Sequence, residues 1–147
     1  KKLNNCSKLV YSLHGDGELQ EGQNWEAIMY ASSRKIDNLI SIVDYNKVQI
    51  DGSTDEIISL GNLSSKFKAF GWEIIEMNGN DMQEVVLGLN QAKALTGKNK
   101  PVVILMHTLM GYGVDFMQGL NKWHGVAPNN EQRDNALSQL IETLGDY

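Results

Sequence analysis

One aspartate, Asp16, stands between Gly15 and Gly17, directly after the apolar run Lys8–His14 and ahead of a helix-like pattern that starts near Gln23. Glycine permits a tight turn and has no Cβ, so backbone can approach an anion closely there. The helix that follows is expected to point its free N–H groups, near Gly22, at the same anion. Thirty positions after Asp16 comes Asn46, followed by the backbone carbonyls of Lys47-Val48. A carboxylate, an amide oxygen and backbone carbonyls are the oxygen donors that Mg²⁺ or Ca²⁺ prefers. No Cys/His cluster competes for a softer metal. An ion held by one carboxylate and neutral oxygens keeps positions open, and phosphate oxygens and water are its natural further ligands. The chemistry implied is the anchoring of a phosphorylated ligand by metal and backbone.

The elements that must position these groups alternate in type. Lys8–His14 reads as a mostly buried strand, Asn24–Lys35 as a helix with basic residues at its end, and Asn38–Asp44 as a second strand. The spacing between the strands suits a crossover helix, hence a βαβ unit with parallel strands. Tyr45–Thr54 reads as irregular, with a turn at Asp51-Gly52. Asn62–Phe70 is a short helix stopped by Gly71, and Trp72–Met77 is a strand. Asp81 and Glu84 cap a helix whose inward stripe is Val85, Val86, Leu89 and Ala92 and which ends near Gly97. Pro101 opens the strand Val102–His107. A long glycine-bearing loop then runs from Met110 to Gly125, and Asn129 or Asn130 caps a last helix with the stripe Leu137, Leu140, Ile141 and Leu144, ended by Gly145. The order predicts a three-layer α/β/α sandwich on a mostly parallel sheet, in a single domain spanning 1–147. Ligands of such sheets lie at the carboxyl ends of the strands. Three loops meet at that edge: Gly15–Gly22, Asp44–Gly52 and Thr108–Gly125.

The 147 residues carry 13 Lys plus Arg against 18 Asp plus Glu, for a net charge of −5. That balance leaves no electrostatic footprint for nucleic acid or an acidic membrane surface. The sequence contains no apolar run long enough to span a bilayer and no signal-peptide layout, so the expectation is a cytoplasmic protein. Cys6, the one cysteine, reads as an incidental thiol. His14 and His107, each ending a strand, read as structural, and Trp25, Trp72 and Trp123 as packing residues. The chain enters its first strand almost at once, and upstream elements are expected to be missing.

G-D-G followed by an asparagine in D-x-N-x-x-x-I-D-G resembles the thiamin-diphosphate-binding motif of transketolases. The ordered set GDGELQEGQNWEA, NLISIVDYN, QIDG, FKAFGWEIIEMNGND and WHG is similar to the amino-terminal, diphosphate-binding subunit of split bacterial transketolases, over roughly Val10 to Leu140. The resemblance implies that Asp16 and Asn46, with the carbonyl of Val48, hold Mg²⁺ (or Ca²⁺). It implies that the backbone of Gly15 and Gly17 meets the diphosphate, that Ile50 lies near the thiazolium, and that His124 touches the diphosphate close to the donor substrate. Glu21 and Glu26 match acidic residues that face the subunit interface and couple cofactor sites. One departure is Met110, where many relatives carry lysine.

The implied activity is transfer of a two-carbon ketol unit from a ketose phosphate to an aldose phosphate, in the pentose phosphate pathway. A deoxyxylulose-phosphate synthase-like enzyme, a sulfosugar-directed transketolase, or a truncated subunit retained for assembly would share these loops. The pyrimidine-binding half of the cofactor site belongs to a separate domain, so the implied partner is a pyrimidine-binding subunit in a dimer or other homo- or hetero-oligomer, and the chain alone is expected to be inactive.

Overall fold

A computed structural model describes residues 8–141, so Cys6, Leu144 and Gly145 lie outside the described residues. The elements are β1 (Val10–Gly15), α1 (Gly22–Ser33), β2 (Leu39–Tyr45), the short strands β3 (Val48–Gln49) and β4 (Gly52–Ser53), α2 (Thr54–Ile58), α3 (Leu63–Ala69), β5 (Glu73–Asn78), α4 (Met82–Leu95), β6 (Val102–His107) and α5 (Asn130–Gln139). The main sheet has the order β1-β2-β6-β5, with every pairing parallel. Gly15 pairs with Asp44, Asp44 with Met106, and His107 with both Tyr45 and Asn78. All four carboxyl ends therefore share one edge.

Period-two alternation along the strands divides the core. Val43, Val103 and Leu105 turn toward Ile28 and Ala31 of α1 and Leu63 and Phe67 of α3. Ile40, Val102 and Ile104 turn the other way, where Val85, Leu89 and Ala92 of α4 cover them together with Ile75 and Met77. The architecture is the expected three-layer α/β/α sandwich. Local signals act as anticipated at several ends: Asn62 caps α3 through the Ser65 N–H, Asp81 caps α4 through the Gln83 and Glu84 N–H groups, and Gly71 takes φ +85° after α3.

Four expectations are corrected. Tyr45–Thr54 is not irregular but a hairpin, β3 pairing β4 with Ile50-Asp51 at its tip, followed by a capping box in which Ser53 and Glu56 satisfy each other's backbone N–H groups. β1 is not mostly buried: it ends the sheet among the described residues, and Val10, Tyr11 and Leu13 are exposed, Leu13 to 69%. Val86 of α4 points outward. Finally, α5 buries none of its residues and leaves Leu137, Leu140 and Ile141 exposed. An apolar run or stripe records what a segment can bury, and these segments meet too little described surface to bury it.

Phe67 sits between Trp25 and Trp72, at centroid distances of 5.9 and 5.5 Å, and is almost fully buried. Phe67→Ala is expected to destabilise the full chain by about 3–5 kcal/mol, read as a lowered urea midpoint.

Candidate functional site

The turn after β1 is built from its own side chains. Asp16 extends the β1–β2 ladder by one bond, its N–H donating to the Asp44 carbonyl at 3.2 Å. Its carboxylate caps a 3-10 turn, Gly17–Gln20, by accepting the Gly17 N–H at 2.8 Å. Leu19 of that turn is buried in the core, and Gln20 donates to the Ile58 carbonyl at 2.9 Å, tying the turn to α2. The helix end expected near Gly22 is therefore displaced. The 3-10 turn intervenes, α1 starts beyond it, and Gly22 stays outside the cleft that forms here.

The second oxygen of Asp16 reaches across to β2, accepting the N–H of Lys47, a residue held at φ +62°. The carboxylate is only 1% exposed, and its bonds are to backbone N–H groups. Burial raises its pKa above the usual value of 3.8; the Lys47 and Gly17 N–H groups oppose that shift, and the charge of Asp44 adds to it. Asn46 is oriented just as closely. Its Oδ1 accepts the Val48 N–H at 2.8 Å and its Nδ2 donates to Asp44 Oδ2 at 3.0 Å. An amide oxygen has a second lone pair for a further partner.

Asp16, Asn46, Val48, Gly15, Gly17, Ile50, Glu21 and His124 line one cleft of about 440 Å³ at the carboxyl edge. Ile50, at the hairpin tip, is 71% exposed, an apolar side chain presented rather than packed. His124 arrives from the long loop, whose Asn121 reaches the Ile50 carbonyl at 3.5 Å. Glu21 stands at the rim. Glu26 is exposed on α1 and is not brought to the cleft. His14 bonds Ser12 and His107 pairs with Glu76 at 3.0 Å, both as structural residues; the His107 bond, first among the causes, lowers the Glu76 pKa. The three tryptophans serve packing, Trp72 donating to the Ile28 carbonyl at 3.0 Å.

Asp44 is the residue that spacing does not single out. It closes an apolar strand and so reads as a strand end, yet it also accepts a hydrogen bond from the Thr108 hydroxyl, joining the Asn46 amide to the loop after β6. No lysine or arginine side chain lines the cleft, while Asp16, Glu18, Glu21, Asp44 and Asp51 do. No group of three His, Cys, Asp or Glu side chains suited to a metal occurs among the described residues. A hard cation here would take one carboxylate, one amide oxygen and a backbone carbonyl, completed by ligand oxygens, and that donor set fits Mg²⁺ carrying a diphosphate. The wall offers further room for a ligand. Gln49 Oε1 is buried with no hydrogen-bond partner and lies 3.2 Å from where a Cβ on Gly17 would stand. That acceptor suits a donor brought by the ligand, such as a metal-bound water.

The family model described as "Transketolase, thiamine diphosphate binding domain" matches residues 2–141. The chain belongs to the transketolase family. One of the two apulose-4-phosphate transketolase subunits, that of Phocaeicola vulgatus, is 38% identical over 97% of the chain and 50% of its own length. The 6-deoxy-6-sulfo-D-fructose transketolase subunit SqwG of a Clostridium species is 40% identical over 95% of the chain and 50% of its own length. The chain thus spans about half the length of these transketolase relatives. A crystal structure of transketolase from Campylobacter jejuni superposes with a TM-score of 0.83 at 34% identity, covering 90% of this chain and 20% of that one.

Asp16→Asn is expected to weaken Mg²⁺-dependent binding of thiamin diphosphate about 100-fold or more in calorimetric titration, with little loss of thermal stability, because a costly buried charge is removed along with the donor. Asp44→Asn is expected to weaken the same binding about 10- to 100-fold, by freeing the Asn46 amide to turn. The raised Asp16 pKa has a definite sign. Stability drawn from its protonation is complete below the unfolded value near 3.8 and lost as pH rises through the higher folded value, whereas metal binding needs the carboxylate. On acidification, Mg²⁺ affinity is expected to fall at a higher pH than for an ordinary aspartate, with uptake of one proton.

Proposed function

We propose that the chain supplies the diphosphate-binding half of a thiamin diphosphate site in a transketolase that works together with a pyrimidine-binding subunit. One observation carries this reading: Asp16, Asn46, Val48, Ile50 and His124, from three separate stretches of sequence, line a single cleft in a chain of the transketolase family. In it, Asp16, Asn46 and the Val48 carbonyl hold Mg²⁺ (or Ca²⁺), and the backbone of Gly15 and Gly17 faces the diphosphate. Ile50 offers an apolar surface to the thiazolium, and His124 hydrogen-bonds diphosphate or donor sugar from the opposite side. Glu21 and Glu26 serve the subunit interface rather than the cleft floor, in keeping with their exposed positions at the start of α1.

Thiamin diphosphate, when bound, supplies the nucleophilic carbon for moving a two-carbon ketol unit from a ketose phosphate to an aldose phosphate. This chain's contribution is electrostatic and positional. The cleft has no cationic side chain, so the divalent ion held by Asp16 and Asn46 is what makes a diphosphate acceptable among its carboxylates. Asp44 and Thr108 keep the amide oxygen of Asn46 turned toward that ion. A second choice of substrate is favoured by the relatives: proteins 38% and 40% identical bear names specifying apulose-4-phosphate and 6-deoxy-6-sulfo-D-fructose, so a sugar outside the pentose phosphates is a proposed donor alongside them.

The complex of the chain with its pyrimidine-binding subunit is expected to transfer ketol units only with Mg²⁺ and thiamin diphosphate present, and Asp16→Ala is expected to abolish transfer. Full Mg²⁺-dependent cofactor binding by Asp16→Ala would count against the assignment. Product analysis with fructose 6-phosphate, xylulose 5-phosphate and 6-deoxy-6-sulfofructose as donors separates the sugar classes.

A further inference from the structure

We propose that Glu18 is a built-in competitor of the diphosphate: its carboxylate holds the Gly15 N–H, and an anionic ligand must displace it to bind. The inference rests on reading the cleft as a diphosphate site and adds a residue whose effect on affinity is opposite to that of Asp16.

Glu18 lies in the first turn of the 3-10 segment and folds back so that Oε2 accepts the Gly15 N–H at 2.5 Å. The missing Cβ of Gly15 makes the approach possible, since a Cβ built there would stand 3.5 Å from that same oxygen. A hydrogen bond to a carboxylate is charge-assisted and stronger than a neutral one. Glu18 is nevertheless exposed and lines the cleft, so its side chain has open space to swing into. Asp16 is different: it is buried and held by two backbone N–H groups from different strand ends. Of the two acidic side chains on this turn, one is fixed as a metal donor and the other rests where a phosphate oxygen would sit.

A carboxylate and a phosphate oxygen seek the same donor, and one N–H serves one of them at a time. Two anions at that distance also repel each other, and the cleft wall supplies no cationic side chain to relieve it. The site is therefore competent for diphosphate only in the fraction of molecules whose Glu18 has left Gly15, and the apparent dissociation constant rises as that fraction falls. Removing the carboxylate should tighten binding by about threefold to tenfold, the range suited to one exposed charge-assisted bond.

The test is calorimetric titration of the full chain, alone and assembled with its partner subunit, with inorganic diphosphate plus Mg²⁺ and with thiamin diphosphate plus Mg²⁺. Wild type, Glu18→Ala and Glu18→Gln are compared, the last keeping the shape and an acceptor without the charge. Proton NMR of the Gly15 amide follows the contact without any ligand. The expected result is tighter binding by Glu18→Ala, an intermediate value for Glu18→Gln, and an upfield shift of the Gly15 amide proton in Glu18→Ala. Wild-type binding with equal or weaker binding by both variants overturns the competitor and leaves the diphosphate site standing. Failure of the wild-type chain to bind Mg²⁺-diphosphate in either state overturns the site itself, and the competitor with it, even where the Gly15 amide shifts.

Discussion

The buried carboxylate of Asp16 is the constraint around which the site is arranged. It joins the end of β1 to the residue after β2 by accepting one backbone N–H from each, Gly17 and Lys47. Two backbone bonds soften the cost of burial without cancelling it, because the pKa stays raised. A charge stored in that way is poised for a cation, which offsets desolvation more fully than an N–H group can. The left-handed backbone at Lys47, the 3-10 turn and the β3–β4 hairpin all follow from bringing donors to that one group.

The electrostatic character of the cleft follows from the same choice. Acidic groups surround the metal position, and the lysines nearby are engaged elsewhere, with Lys47 Nζ lying 5.5 Å from the Tyr45 ring centroid. A wall of this sign selects ligands by total charge: a diphosphate already carrying its divalent ion is acceptable where the bare anion is not. Met110, standing where many transketolases have lysine, is consistent with a site that relies on the ion. It is half-buried in the loop, its carbonyl accepting the Gly119 N–H at 2.9 Å.

Much of this was legible in the sequence, for a physical reason. A parallel βαβ unit forces the ends of its two strands to one edge, so a carboxylate after the first and an amide after the second must be neighbours, whatever the helix between them does. Asp16 and Asn46 are found together on that logic. Asp44 is not, since its meaning depends on Thr108, 64 positions away, and on the amide two residues on. The S-x-x-E box at Ser53–Glu56 is readable but hidden inside a polar stretch. The exposure of β1 and α5 is not legible, because apolar sequence states an appetite for cover, and only the assembled neighbours decide whether it is met.

The two donors of the proposed clamp hang from unequal supports. Asn46 follows β2, which has strands on both sides, while Asp16 follows β1, bonded on one side among the described residues. A strand held along one margin opens locally at lower free energy than one held along two. Closing the clamp therefore staples the frayed margin of the sheet to its stiff middle, and the occupancy of the site and the local melting of β1 become a single equilibrium. Whatever steadies Leu13 and its neighbours from outside also tightens the grip at Asp16, without touching the cleft.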